Sequence, residues 1–317
     1  ASISDSVVKR VNEAIEQLGY VPNAMAKGLK TNKSSIIGIL VPDVGIRYYG
    51  EMVKAVETLL RKRGYMVFLC NTFYSGQLEH EYIQTLIQHN VLGVVAGYDL
   101  FDERSFSLLK KYNIPVVTLD SQGDNDKRLS VRVDNEMLAR MAISHLYDVG
   151  ARVISYCSEP LGVPVLETRF QYFKKAIEEF GLEFDDKRCF IAQNVYDDYN
   201  KMKMGYNIGA NILLYDNIDA VFASSDEFAF GIISRLKEHG IEIPSEIQIM
   251  GCDNDPFSKL ITPQLTTIWQ PINKVADIGV SMLMSQINGE TVEIINVCLE
   301  PNIIIRESTL KIRTQKC

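Results

Sequence analysis

The sequence lacks the features that mark a membrane protein or a disulfide-bonded secreted domain. No stretch approaches the roughly 18 to 20 uninterrupted apolar residues that a membrane-spanning helix needs, and the N-terminus lacks the charged-then-apolar layout of a signal peptide. The six cysteines form no CxxC pair and have no interleaved histidines, which argues against a zinc site or a redox motif. We therefore expect reduced, buried thiols, a cytoplasmic location and no bound metal.

Sequence motifs that accompany catalysis are also missing. The chain contains no GxSxG elbow, no GxxxxGK[ST] phosphate loop, no GxGxxG fingerprint and no HExxH. The four histidines, His80, His89, His145 and His239, all fall in stretches with helical periodicity. We expect a protein that is not an enzyme and that uses no cofactor.

Charge is unevenly distributed along the chain. Its formal net charge of -7 argues against a protein that coats nucleic acid nonspecifically. Residues 1–34 nevertheless contain five basic and three acidic side chains, a local charge of +2, so the remainder carries -9. A mildly basic head on an acidic body is compatible with a small DNA-contacting segment attached to a body that binds something else.

From residue 34 onward, short β-branched apolar runs alternate with amphipathic stretches. Runs such as Ile36 to Val41 and Ile114 to Leu119 are typical of strands buried on both faces. Glycines such as Gly64 and Gly150 follow the amphipathic runs, where a left-handed helix cap is expected. This repeat predicts doubly wound parallel sheets with helices on both faces. The number of units is too large for one small sheet, so the chain is interpreted as two similar α/β lobes joined near Val149 to Arg152.

The first 34 residues differ in kind from the rest. Val7, Val8, Val11, Ile15 and Leu18 form a helical apolar stripe that ends at a glycine. A short alanine-rich and basic segment follows at residues 24–31, and it is too short to be a stable helix alone. We expect it to fold only against a partner.

Polar and aromatic residues follow the predicted strands, and ligands of parallel sheets bind beyond the carboxyl ends of strands. The candidates are Asp43, Tyr48, Tyr49, Asn71, Thr72, Asp120, Ser121, Asp134, Ser158, Ser225, Asp226, Asp253 and Asn254. Carboxylates and amides bind hydroxyls, aromatic rings cover the CH faces of a sugar or the plane of a base, and Arg169 can fork onto two oxygens. The competing interpretation is a helix N-cap or a turn, especially for Asp134 and Asp226.

Seven sequence strings, in this order, resemble the lactose-repressor (LacI-type) family of transcription regulators. They are GYVPNAMAKGLKT (19–31), IGILVPD (37–43), VDN (133–135), SSDEFAFG (224–231), GCDN (251–254), LTTIWQP (265–271) and IREST (305–309). The resemblance implies a helix-turn-helix headpiece, a hinge helix and a periplasmic-binding-protein-like core of two lobes that close on a small effector.

The resemblance also implies how the chain is divided. Residues 1–22 are similar to the end of the headpiece, its third helix, so we expect the preceding two helices to be missing from this chain. Residues 23–34 form the hinge helix and linker. The N-terminal lobe takes residues 35–150 with about 271–300, and the C-terminal lobe takes residues 151–270 with about 301–312.

Site residues are carried over from the family position by position. The hinge would contact DNA through Asn23, Ala26, Lys27, Leu29 and Lys30, with Leu29 as a wedge in the minor groove. The effector would be bound by Tyr48, Tyr49, Thr72, Asp120, Asp134, Arg169, Ser225, Asp253 and Trp269. Three departures from the family pattern, Ile46-Arg47 for Asn-Pro, Ser121 for arginine and Ser225 for asparagine, indicate that the pocket differs from those of the best-known members.

The expected partners are operator DNA, a small effector of the sugar class, and a second copy of the chain in a homodimer formed through the first lobe. Two other hypotheses remain open at this point. One is a solute-binding protein of a transport system built on the same lobes. The other is a regulator that answers mainly to a protein partner.

Overall fold

The computed structural model describes residues 4–19, 35–100, 102–120, 128–193 and 200–310. Its α-helices are α1 (Asp5–Leu18), α2 (Arg47–Lys62), α3 (Gly76–Gln88), α4 (Glu103–Lys111), α5 (Asn135–Asp148), α6 (Pro164–Glu179), α7 (Lys201–Ile212), α8 (Asp226–Glu238) and α9 (Ile272–Ile287). Its strands are β1 (Ile36–Val41), β2 (Met66–Asn71), β3 (Gly93–Ala96), β4 (Val116–Leu119), β5 (Leu129–Val133), β6 (Ile154–Ser158), β7 (Cys189–Ile191), β8 (Ala220–Ala223), β9 (Gln248–Cys252), β10 (Thr266–Trp269), β11 (Asn296–Leu299) and β12 (Asn302–Ile304). None of the helices in these ranges is long and apolar enough to cross a membrane.

The strands form two six-stranded sheets with the same internal order. The first sheet runs β11-β5-β4-β3-β1-β2 and is parallel throughout; the second runs β12-β10-β9-β8-β6-β7, and only β12 is antiparallel to its neighbour. Strand order therefore reverses between β1 and β3 in one sheet and between β6 and β8 in the other. Such reversals open a crevice at the carboxyl ends of the strands. The predicted fold class, two doubly wound parallel-sheet lobes, is confirmed.

Helix ends follow the predicted glycine stops. Gly64 after α2 and Gly150 after α5 have φ values of +82° and +101°. Residues with a Cβ rarely adopt this conformation, so glycine allows the chain to leave each helix and enter the next strand.

Helix α5 packs on the second lobe, although it precedes residue 150. Its apolar side chains Leu138, Ala142 and Ile143 share a core with Tyr156 of β6 and Phe222 of β8. By packing, the division between the lobes lies near residue 134. The reason is that α5 has its own apolar stripe and can cover the second sheet as soon as β5 ends.

The chain returns to the first lobe after β10. Val275, Ala276 and Val280 of α9 are buried in the core of the first lobe, and β11 pairs with β5. The next strand, β12, pairs with β10 of the second sheet. Three segments therefore connect the lobes, a geometry that permits hinge movement while keeping the two facing edges opposed.

Helix α1 confirms the helical stripe near the N-terminus. Val7, Val8, Val11 and Leu18 are largely exposed. The predicted hinge residues Asn23, Ala26, Lys27, Leu29 and Lys30 lie outside the described residues.

Candidate functional site

A cleft lies between the two lobes, where the carboxyl ends of both sheets face each other. Its volume is about 430 Å3, part of it open to solvent. The lining residues are Ile46, Tyr48, Tyr49, Tyr74, Asp120, Val163, Val165, Leu166, Arg169, Lys201, Ser224, Asp253 and Gln270. A crevice between two lobes that is lined by both apolar and polar side chains is typical of a small-molecule site.

Five of the predicted effector residues line this cleft. Tyr48 and Tyr49 lie in the first turn of α2 and Asp120 follows β4, so all three belong to the first lobe. Arg169 of α6 and Asp253 after β9 belong to the second lobe. The structure thus brings together residues that are up to 205 positions apart in the chain, from Tyr48 to Asp253.

The other four predicted residues are not among those that line the cleft. Thr72 is fully buried and its hydroxyl donates to the carbonyl of Val41 at 3.2 Å. Asp134 caps α5 by accepting from the Met137 N–H at 2.9 Å, which is the helix-cap interpretation. Both side chains are therefore engaged in hydrogen bonds to backbone groups.

Ser225 and Trp269 do not line the cleft, but a sequence neighbour of each residue does. The Ser225 hydroxyl caps α8, and its neighbour Ser224 lines the cleft instead. Trp269 is 41% exposed, and Gln270 takes the cleft position. Successive residues of an extended chain point to opposite sides, so an error of one residue moves a side chain out of the site.

Sequence reasoning missed Tyr74 and Lys201 as well as Ser224 and Gln270. Tyr74 follows β2 with a φ of +58°, and Lys201 is the first residue of α7. No motif singles out either residue. A wider window at each strand end would have included Ser224 and Gln270, because both are adjacent to predicted residues.

Arg169 is held rigidly at the centre of the cleft wall. Its Nε donates to Asn135 Oδ1 at 3.1 Å and its NH1 donates to the carbonyl of Ser224 at 2.9 Å. The guanidinium is buried and interacts electrostatically with Asp120 and Asp253. One fixed cation is therefore shared between carboxylates that come from opposite lobes.

Asp253 lies on a strained turn. Its φ is +111°, a value that residues other than glycine rarely adopt and that is concentrated at functional sites. Its Oδ1 accepts from Gln270 Nε2 at 2.7 Å. Burial raises the pKa of Asp253 to about 6, against the opposing effect of Lys201 and Arg169. Its carboxylate is charged at neutral pH and available to accept hydrogen bonds from a ligand.

Asp120 is the corresponding acid of the first lobe. Burial raises its pKa to about 7, while the charge of Arg169 and a hydrogen bond with Tyr48 act in the opposite direction. The Asp120 carboxyl is therefore present in both protonation states near neutral pH. The protonated form can donate and accept hydrogen bonds, whereas the carboxylate can only accept them.

The raised pKa of Asp120 predicts a pH dependence of stability. The folded protein retains a proton that an unfolded aspartate releases, so this stabilisation is lost as pH rises through about 7. Lowering the pH from about 8 to about 6 should raise the melting temperature of the ligand-free protein by a few degrees more than that of Asp120→Asn. Differential scanning calorimetry on both proteins is the measurement. Parallel pH profiles would contradict the prediction.

A buried ion pair supports the floor of the cleft. Lys201 Nζ lies 2.5 Å from Glu159 Oε1, and Glu159 is fully buried. Glu159 also accepts hydrogen bonds from the hydroxyls of Ser224 and Ser225. Although burial by itself raises the pKa of Glu159, Lys201 and the hydrogen bond from Ser224 hold it below its ordinary value. Lys201 is thereby fixed beside the space that a ligand would occupy.

The arrangement fits a compact ligand with many hydroxyl groups. Two carboxylates accept hydrogen bonds, Arg169 and Lys201 donate them, and tyrosine side chains contribute apolar faces. The two cations balance Glu159 and Asp253, and Asp120 with its pKa of about 7 is only partly ionised at neutral pH, so the cleft does not favour a strongly charged ligand. Among the described residues, no group of His, Cys, Asp and Glu side chains is placed to hold a metal ion.

Comparison with known proteins gives consistent results. A family model described as a periplasmic binding protein-like domain matches residues 143–309. The ribose operon repressor of Halalkalibacterium halodurans is 30% identical over 308 residues, which cover 97% of this chain and 89% of that protein. This relative matches along both lobes and not only along the second.

Two solved structures are similar in sequence and in fold. A periplasmic binding protein/LacI transcriptional regulator from Alkaliphilus metalliredigens, complexed with D-xylulofuranose, has a TM-score of 0.74 and 30% identity, covering 88% of this chain and 100% of that one. A LacI family transcriptional regulator from Enterococcus faecium, with bound ribose, has a TM-score of 0.76 and 27% identity, with coverage of 88% and 100%.

Proposed function

The chain belongs to the LacI-type family of transcription regulators, and from this premise we propose that its inter-lobe cleft binds a monosaccharide that alters the affinity of the protein for operator DNA. A DNA-binding regulator with an effector-binding core is the function of this family, so the protein is not an enzyme. The alternative of a transport solute-binding protein is not favoured, because the curated relatives are regulators.

The observation that carries the proposal is that Asp120 and Asp253, from opposite lobes, line one cleft and both interact with Arg169. A ligand that bonds to both carboxylates must bridge the lobes. Its binding energy then favours the arrangement in which the lobes are closed, and a change in lobe arrangement is what can be transmitted to the DNA-binding segment.

The proposed ligand class is a pentose-sized sugar. Two of the similar structures are described with D-xylulofuranose and with ribose. The carboxylates, the arginine and the tyrosines supply the hydrogen bonds and apolar contacts that such a ring requires.

A thermal-shift screen followed by calorimetric titration tests the ligand class. The screen should contain D-ribose, D-xylulose, hexoses, sugar phosphates and purines. We expect at least one uncharged monosaccharide to raise the melting temperature of the protein. The dissociation constant of that sugar should be larger for Asp120→Asn than for wild type. Stabilisation by a purine or a sugar phosphate, with no response to any free sugar, would overturn the sugar assignment.

We propose that DNA is contacted by the hinge residues Asn23, Ala26, Lys27, Leu29 and Lys30, as the family resemblance implies. Their basic side chains would contact phosphates, and Leu29 would enter the minor groove. A gel-shift comparison of wild type with Leu29→Ala, in the complete protein on one operator at fixed salt, tests this assignment. Equal operator affinity would remove Leu29 from the DNA interface.

We also propose a homodimer formed through the first lobe. Strand β2 is at the edge of the first sheet, and Met66, Leu69 and Phe73 on and after it are 61%, 44% and 57% exposed. An apolar edge strand of this kind favours association with another copy of the chain. A two-fold dimer also matches the symmetry of an operator with two half-sites.

Introducing charge at this edge should dissociate the dimer. Leu69→Glu places a carboxylate in the proposed interface, and we expect the dimer dissociation constant to rise by about tenfold or more. Sedimentation velocity across a micromolar concentration series measures the change. Leu214→Glu, at a position on the second lobe that is 79% exposed, is the matched control. A wild-type monomer, or equal dissociation constants for both variants, would contradict the proposal.

A further inference from the structure

Arg47 connects the two lobes at the rim of the cleft. It is the first residue of α2 in the first lobe, and its Nε lies 2.5 Å from Asp255 Oδ2 in the second lobe. Its guanidinium carbon also lies 5.1 Å from the ring centre of Phe257, within range of a cation–π contact. Both contacts exist only while the lobes are held together.

Asp255 is positioned by its own lobe and needs no help from Arg47. Its Oδ1 accepts from the Phe257 N–H at 2.7 Å, and its own N–H donates to Asp226 Oδ2 at 2.7 Å. These bonds leave Oδ2 directed toward the first lobe. The Asp255 side chain is 3% exposed, whereas that of Arg47 is 38% exposed.

The Oδ2 atom of Asp255 is buried and receives no aligned hydrogen bond within the described part of the chain. Arg47 compensates it as an ion pair, by charge and proximity. A buried carboxylate without a compensating cation is costly, whereas a partly exposed arginine without its acid is not. The pair is therefore asymmetric, and loss of the arginine should have the larger effect.

The surroundings make this cation more important. Arg47 lines a recess of about 280 Å3 together with Glu51 of the first lobe and the acids Asp226, Glu227 and Asp253 of the second. Closing the lobes brings Glu51 toward the three acids of the second lobe. Without Arg47, closure would concentrate negative charge in a desolvated space.

We infer that Arg47 is an inter-lobe latch, which through Asp255 and Phe257 stabilises the closed arrangement of the lobes before any effector binds. Arg47 is thus a positioning residue, because lobe closure places Asp120 and Asp253 where one ligand can contact both. The consequence for effector affinity rests on the proposed function, whereas the effect on closure does not.

Hydrogen–deuterium exchange of the ligand-free, complete protein tests the latch without a ligand. In Arg47→Ala we expect amides of residues 46–52 and 253–258, which flank the contact, to exchange about threefold faster or more. The decisive segment is 163–169, which lines the cleft but does not contact Arg47. Closure protects that segment, so its exchange should accelerate too.

Matched variants separate a latch from a local contact. Arg61→Ala removes another arginine of α2, one that forms an ion pair with Glu57 of the same helix at 2.9 Å. This variant should leave the exchange rates of residues 163–169 unchanged. Asp255→Asn retains an oxygen to accept from the Phe257 N–H but removes the buried charge. In that background, Arg47→Ala should change exchange by less than about twofold.

Acceleration confined to residues 46–52 and 253–258, or no acceleration at all, would overturn the latch. So would equal effects of Arg47→Ala in the wild-type and Asp255→Asn backgrounds. Absence of sugar binding in the titrations leaves this measurement valid, so failure of the ligand assignment and failure of the latch are distinguishable.

Discussion

Replacing Asp253 with alanine should weaken effector binding by roughly ten- to hundredfold, because charge-assisted hydrogen bonds worth about 1.5 to 3 kcal/mol are lost. The carboxylate is held in place by Gln270 and faces Arg169 and Lys201. Isothermal titration with the sugar identified in the screen measures the loss. We expect operator affinity of the complete protein without effector to be retained, since lobe closure is what the ligand biases.

The strained backbone at Asp253 calls for a second variant. Alanine at a φ of +111° is less well tolerated than asparagine, so Asp253→Asn is the better test of charge alone. It retains an oxygen that can accept from Gln270 Nε2, and its ligand-free melting temperature should stay close to that of wild type. Unchanged effector affinity in Asp253→Asn, together with a lowered melting temperature in Asp253→Ala, would assign this residue to structure.

Gly231→Ala should strongly destabilise the second lobe. A Cβ added at Gly231 of α8 would clash with the carbonyl oxygen of Met202 and lie 2.5 Å from the N of Tyr206, both backbone atoms of α7. Backbone atoms cannot turn aside, so the helices must separate. We expect a loss of about 3 kcal/mol or more, and a melting temperature lower by roughly 6 to 12 °C.

This helix contact also positions the cleft, because Lys201 precedes Met202 at the start of α7. Separation of α7 from α8 should therefore weaken the Lys201–Glu159 ion pair and effector binding along with stability. Calorimetry of Gly231→Ala beside Gly162→Ala, where an added Cβ has no atom within 4 Å, is the measurement. Equal melting temperatures for the two variants would show that the helices accommodate the methyl group.

The candidate site could be predicted from the sequence only in part. Tyr48, Tyr49, Asp120, Arg169 and Asp253 line the cleft as anticipated. Their role in effector binding stays a prediction until ligands are titrated. Thr72, Asp134 and Ser225 do not line the cleft, because a polar residue after a strand can also bond to the backbone, as a helix cap does, and both functions select the same residue types.

The sequence by itself determined the two-lobed, doubly wound architecture and the strand ends at which a site could form. The architecture and the strand ends both follow from the pattern of apolar residues within single elements, as in the uniformly apolar β1 and β8. Only the tertiary structure decided that α5 covers the second sheet, that Lys201 enters the cleft, and that Arg47 meets Asp255. Those contacts depend on how elements far apart in the chain pack against one another, and no periodicity within one segment encodes the surface of another.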